Sequence, residues 1–364
     1  MHYHPDFELS AITLSICCAM APSQLHAQEK SPAVLPAVVI TAPGHGANNG
    51  FRSESATVGP LGDRPLLDTP YSINVVDSEL IQNRQATSLN DLLRYLPSAQ
   101  MEARGGPDVG RPQTRGMQSS VVANNHLDGM NVVGTTAYPM EQFDRIEIIN
   151  SLTGALYGPA SPAGNFNYVS KRPTQGLMNR VTTSHTSRGQ GLIHADLGGS
   201  VGDGNALGYR VNLLTEQGEG HVKHSNLDRQ LASLALDARI STDTVLELNA
   251  SHYKFDKLGF PGSFSYGPAT QLPDAPDPDK VGFGQSFAGN ELETSTASFR
   301  LKHRFSGNWH LTAGMLRQRA DRALFTPANT FTDNSGNYTT RVRASAPRFD
   351  VLSNTIDLKG RVAT

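Results

Sequence analysis

From residue 177 to the end of the chain, apolar and polar residues alternate with a period of two in eight separate runs, and this constrains the fold more than any other feature. The runs lie at about 177–187, 190–201, 206–218, 229–240, 243–255, 292–306, 308–320 and 349–362. A period of two places successive side chains on opposite faces of a strand. In the fourth run Ala232, Leu234, Leu236, Ala238 and Ile240 share one face, and Ser233, Asp237 and Arg239 the other. In the sixth, Thr294, Thr296, Ser298, Arg300, Lys302 and Arg304 oppose Ala297, Phe299, Leu301 and Phe305. The connections after runs two, four and six are short (VGDGN, STDT and SGN), and those after three, five and seven are long. A sandwich with Greek-key links has no reason to alternate in this way. A membrane barrel does, with its long loops on one side. No run of about 20 apolar residues exists, so no transmembrane helix is expected.

The first half of the chain has a different grammar. Ser72 to Val76 reads as a short strand. Asp77 or Ser78 can cap a helix running to about Gln85. Ser88 can cap a second helix, SLNDLLRYL, with Asp91 at its third position and Pro97 beyond its end. Leu89, Leu92, Leu93 and Leu96 share one face of that helix. A glycine-rich loop, RGGPDVGRPQTRGM, is followed by an expected strand through Val122 and a turn at Leu127-Asp128-Gly129. Phe143 to Ile149 alternates as a half-buried strand. It leads into a stretch punctuated by Gly154, Gly158 and Gly164, which ends on the strand-like NFNYVSKRP. The boundary between a small α/β unit and a row of antiparallel strands falls in residues 141–173.

Ahead of both lies an export signal, residues 1–27, with an apolar core from Leu9 to Ala21 and a small residue at Ala27. Cys17 and Cys18 lie within it, so a chain cut after Ala27 would hold no cysteine for a disulfide, a thiol nucleophile or a thiolate metal site. Residues 28–62 read as a Pro-, Ala-, Gly- and Asn-rich linker, interrupted by the β-prone island Leu35 to Ala42. The formal charge of −2 argues against bulk attraction to nucleic acid.

In this order the segments resemble the TonB-dependent outer-membrane receptors, most closely the ferric-siderophore class. DTPYSINVV at 68–76 resembles the family's early plug strand, and SLNDLLRYLPS at 88–98 its plug helix. Arg115-Gly116, Leu127-Asp128-Gly129 and FDRIEIINSLTGALYGPASPAGNFNYVSKRP at 143–173 follow in family order. Val38-Val39-Ile40-Thr41-Ala42 resembles the TonB box. Asn150 to Gly154 and Ala163 to Tyr168 depart from the family pattern.

The resemblance implies an α+β plug domain (63–174) after a TonB-box and linker segment (28–62). An incomplete antiparallel transmembrane β-barrel (175–364) follows, with about eight of about 22 strands. It implies outer-membrane localisation, with lipid, TonB and a ferric siderophore as partners and no nucleic acid. The iron would come with the substrate, so no cofactor and no protein metal site are expected. The plug-motif residues are Arg115, Gly116, Asp128, Gly129, Arg145, Glu147, Tyr157, Gly158, Gly164 and Asn167. Candidate ligand contacts are Arg104, Arg111, Tyr138, Phe260, Phe264 and Tyr266, whose cations and aromatics suit an anionic catechol- or hydroxamate-bearing chelate.

At roughly 23 residues per strand, about 22 strands need roughly 500 residues after the plug. The expectation is therefore a truncated receptor, or the first part of a split gene, not competent to transport alone. The alternatives are a non-transporting binding module made of plug and partial sheet, or a receptor for cobalamin or another metal complex. His221 and His224 share a loop without metal-ligand spacing. Asp128 and Asp144 have no acid–base partner, and no catalytic constellation is present, so no enzyme is expected.

Overall fold

The computed structural model describes residues 53–103, 109–150, 152–186, 189–274, 277, 284–305 and 309–360. The signal segment, the Val38–Ala42 island and Arg104 lie outside the described residues.

The first unit begins with a two-stranded hairpin, β1 (Ser55–Thr57) and β2 (Asp63–Pro65). Next come β3 (Ile73–Asp77), α1 (Ser78–Asn83) and α2 (Leu89–Leu93). The caps are those the sequence signals. Asp77 Oδ1 accepts from the Leu80 N–H at 2.8 Å, and Asp91 Oδ2 accepts from the Ser88 N–H at 3.0 Å. Leu89, Leu92, Leu93 and Leu96 are all buried, and pack with Val76, Ile81, Ile146, Ile148, Phe166 and Tyr168.

β4 (Ala99–Ala103) and β5 (Gly110–Thr114) form a separate hairpin. The strand expected through Val122 is absent, because the backbone there is bonded to its own side chains. Ser120 Oγ accepts from the Val122 and Ala123 N–H groups, and Asn124 Oδ1 accepts from the Ser120 N–H at 2.8 Å. β6 (Asn125–Leu127) and β7 (Met130–Asn131) enclose the Asp128-Gly129 turn, where both residues have positive φ (51° and 85°), as a two-residue hairpin requires. β8 (Phe143–Ile149), α3 (Gly154–Tyr157) and β9 (Asn165–Ser170) complete the unit. Its main sheet has the order β3-β8-β9-β6-β7, antiparallel except between β9 and β6.

The second unit is a meander of β10 (Met178–His185), β11 (Gly191–Val201), β12 (Leu207–Gly218), β13 (Asn226–Ser241), β14 (Thr244–Leu258), β16 (Gly289–Arg304) and β17 (His310–Phe331). β18 (Tyr338–Ser345) and β19 (Arg348–Lys359) pair with successive halves of β17, as one strand interrupted at 346–347. The eight alternating runs are thus eight strands in the expected order. Two boundaries move. The seventh strand continues to Phe331 and the eighth starts at Tyr338, so the expected long link between them is mostly extended ladder. β15 (Ser263–Ser265), inside the proline-rich link, pairs in parallel with Ala328–Thr330. Three residues give no periodic signal. Among the described residues β10 and β19 are not paired with each other, so the sheet is open.

The two faces have opposite chemistry. On β13 Arg229, Leu231 and Ala235 are buried, while Leu234 and Ile240 are 41% and 64% exposed. On β16 Thr294, Thr296 and Ser298 are buried while Phe299 is exposed. The polar face lies against the first unit and the apolar face points away, as in a membrane barrel and unlike a soluble sheet.

Gly164 shows how tightly the first unit is closed. It has φ +81°, and a Cβ there would lie 2.7 Å from both Ile149 O and Thr114 Oγ1. Gly164→Ala is therefore expected to destabilise this unit by at least about 1–3 kcal/mol. Limited proteolysis of the variant in membrane fractions should show faster cleavage within residues 65–165, whereas Gly176→Ala, which meets nothing within 4 Å, should leave the pattern unchanged.

Candidate functional site

The seam between the two units is polar and is fastened by charge. Arg229 has no exposed surface. Its guanidinium donates to Glu141 of the first unit at 2.7 and 3.1 Å, and also pairs with Glu216. Lys171 Nζ reaches Asp196 at 2.7 Å, and Arg210 holds the same carboxylate at 2.6 and 2.9 Å. Arg172 bonds Asn249 at 2.6 Å and pairs with Asp237. Arg300 donates to Asp128 O at 2.9 Å while paired with Glu247. Gln318 accepts from the Val133 N–H at 2.8 Å and donates to Tyr138 Oη at 3.1 Å. The register of the strands aims these groups inward. Residues one position away on the same strands face outward.

The plug-motif residues converge below this seam. Glu147, 1% exposed, accepts from the Thr57 N–H (2.7 Å), Arg145 Nε (2.8 Å) and Asn167 Nδ2 (2.8 Å). Burial pushes its carboxyl above the ordinary value, against the pull of those donors. Asn167 Oδ1 in turn accepts from the Gly129 N–H, and Asp128 Oδ1 from the Ser170 N–H. Arg145 Nη2 also reaches Thr57 Oγ1 at 2.9 Å, so the β1–β2 hairpin is tied directly to β8. Arg115 and Gly116 form a left-handed turn (φ 56° and 68°), with Arg115 donating to Pro162 O. Gly158, φ 80°, ends α3. The Tyr157 ring lies 4.4 Å from that of buried His126. Within the departures from the family pattern, Asn150 Oδ1 accepts from Ser98 Oγ at 3.0 Å, and Asn165, Phe166, Asn167 and Tyr168 are buried.

A cavity of about 370 Å³ separates α1 and Met140–Phe143 from the inner face of β10–β14. Gln82, Arg180, His194, Glu216, Lys257 and Phe260 are among its walls. Of the sequence-derived ligand candidates, Phe260 lines it, with Lys257 Nζ 4.9 Å above its ring. Phe264 instead packs on Phe331 and Tyr338, and Tyr266 is 52% exposed in the same link. Tyr138 lies in the core of the first unit, stacked on Tyr168, its hydroxyl donating to Val133 O at 2.7 Å. Arg111 is half-buried and donates to Ser119 O. The sequence reading missed Arg180, Glu216 and Lys257, whose inward aim depends on strand register. Among the described residues no group of three His, Cys, Asp or Glu side chains converges as a metal site.

Two measurements test this arrangement. Arg229→Ala removes the cation paired with both Glu141 and Glu216 and should cost about 3–5 kcal/mol. Urea titration of the detergent-solubilised protein, read by protease resistance of residues 65–165, should show the loss. His126 is 1% exposed; its Nδ1–H donates to Asn165 and its Nε2 accepts from Asn131. Burial holds its pKa down at about 4, opposed by the Asn165 bond. The unfolded chain takes up this proton first, so the imidazole's contribution is complete above pH 6.5 and falls away as pH drops toward 4, by about 3 kcal/mol in all. The pH dependence of protease resistance should therefore be shallower in His126→Gln than in the wild type across that window.

The family described as TonB-dependent Receptor Plug Domain matches residues 65–165. The ferrichrome receptor FcuA of Yersinia enterocolitica is 26% identical over 310 residues, covering 80% of this chain and 39% of that protein. The probable TonB-dependent siderophore receptor PiuA of Acinetobacter baumannii is 28% identical over 194 residues, covering 52% of this chain and 25% of its own length. The crystal structure of BauA, the ferric preacinetobactin receptor from Acinetobacter baumannii, superposes with a TM-score of 0.75 at 24% identity, over 87% of this chain and 48% of that one. The chain thus spans less than half of each. Residues 65–165 match the plug-domain family and the strands that follow have the fold of the barrel in that solved structure, so the chain is similar to TonB-dependent outer-membrane receptors.

Proposed function

We propose that the chain takes part in TonB-dependent uptake of a ferric siderophore across the outer membrane. The observation that carries this reading is the seam, in which a plug is fastened by ion pairs and hydrogen bonds to the polar face of a sheet whose other face is apolar. The names of the relatives point to the same substrate class. The outer membrane holds no useful ion gradient, so the work of moving a plug has to be delivered by a partner that crosses the periplasm. In this reading TonB adds to Val38–Ala42 as a strand and pulls. Force would reach the plug through the β1–β2 hairpin, whose Thr57 is bonded to Glu147 and Arg145. Breaking polar contacts one at a time exposes groups that water can solvate, so the plug can shift without baring an apolar core to the lumen. The iron arrives inside its chelate, bound by the siderophore rather than by protein side chains.

Deleting Val38 to Ala42 in the natural locus tests the reading. Uptake of a radiolabelled ferric siderophore should fall to background while binding to outer-membrane fractions persists. Unchanged uptake would remove TonB coupling from the reading. Binding with no uptake in the undeleted strain would point instead to a non-transporting binding module.

A further inference from the structure

We propose that Arg317 and Arg319 form a phosphate-binding site on the outward face of β17, and that its occupant is a phosphorylated glycolipid of the outer leaflet. This rests on the outer-membrane setting of the uptake reading and is independent of what is transported. Strand register sets the outward residues side by side. Tyr209, Leu236, Leu248, Phe299 and Met315 make one row, and Val211, Leu234, Ala250, Ala297, Arg317 and Leu352 the next. Arg317 is the one charged residue in these two rows. Toward the long links, the first polar outward residue is Thr215 on β12, Gln230 on β13, His252 on β14, Ser295 on β16 and Arg317 on β17. This boundary steps back by one row between β13 and β14 and by another between β16 and β17. A level line does the same across the tilted strands of a membrane barrel, whose long loops lie outside. Arg317 therefore sits at the outer rim of the apolar belt, level with His252 and Ser295.

Among the described residues Arg317 is exposed and makes no hydrogen bond, ion pair or ring contact. Its cross-strand neighbours, Ala297 and Leu352, are apolar. Arg319, one row further out, stands across from Ser295 and Asp350. Its Nε donates to Asp321 at 2.9 Å, and Arg348 pairs with the same carboxylate. Arg317, Arg319 and Arg348 thus face two carboxylates, Asp321 and Asp350, which leaves one positive charge over. Glu293, across from Asp321, also stands opposite Lys254 and lies 4.0 Å from His252. The acidic row Asp228, Asp256 and Glu291 is nearer the long links and meets only Ala323 on β17. An arginine at the rim of an apolar belt lays its stem along the lipid chains and aims its guanidinium out of them. A phosphate there accepts two parallel bonds from the planar fork, and Arg319, about 6–7 Å along the strand, adds a second cation. The acyl chains of the same lipid would lie along Phe299, Met315 and Leu352, each exposed on this face. A lipid without phosphate would leave Arg317 unpaired at the edge of the hydrocarbon.

The test is a lipid titration of the protein purified in detergent from outer membranes carrying the natural locus, read by native mass spectrometry. The probes are lipid A with both its phosphates and the same lipid A with both removed. The wild type should bind the phosphorylated form at least about tenfold more tightly. Arg317→Gln and Arg317→Leu should each remove most of that preference and leave binding of the dephosphorylated form within about twofold. Arg317→Lys, which keeps the charge, should retain part of it. Arg304→Gln, at an exposed arginine of the short-link end paired with Asp243, should bind like the wild type. Equal binding of the two forms by the wild type overturns the site. So does an unchanged preference in Arg317→Gln, an equal loss in Arg304→Gln, or a matching loss of both lipids in the Arg317 variants. A wild type absent from outer-membrane fractions overturns the membrane setting that the uptake reading shares. A wild type present there without the phosphate preference overturns the site alone.

Discussion

A guanidinium with no exposed surface ties the plug to the wall, and the rest of the structure depends on contacts of its kind. Arg229 lies on a strand whose alternate residues face outward with apolar side chains, so its own face must be covered by something polar. Glu141 and Glu216 meet that need. The same logic repeats at Lys171, Arg172 and Arg300. A sheet with an apolar outer face and a charged inner face is unsuited to a dry core, and the plug is the element that satisfies it. Buried pairs of this type contribute little net stability compared with apolar contacts, but losing one partner is costly. The seam therefore fixes position more than it adds binding energy.

Inside the plug the same economy of polar groups holds the turns in place. Glu147, Asn167, the Gly129 N–H and Asp128 form a continuous set of contacts that ends, through Arg300, on the barrel wall. The hairpin nearest the N-terminus is bonded to the other end of that set through Thr57. A displacement of the hairpin would thus be felt at β8.

Much of this was legible locally. The caps at Asp77 and Ser88, the leucine face of α2 and the turn at Asp128-Gly129 are short-range effects, set by side chains a few residues apart. The alternation that gave eight strands is also local. Where the reading failed, a competing contact decided. Side chains of Ser120 and Asn124 captured the backbone that composition suggested would extend. Tyr138, an exposed-looking aromatic near a turn, is drawn into the plug core by Tyr168 and the Val133 carbonyl.

The sequence by itself determined which residues alternate, where the chain turns and that its strands carry one apolar and one polar face, because these follow from periodicity and backbone preference. Only the tertiary structure decided which polar residue meets which. Arg229 and Glu141 are 88 residues apart, and Arg322 reaches a carbonyl 187 residues away. Such pairings depend on strand register and on how deep the plug sits, and neither is encoded in any short stretch of chain.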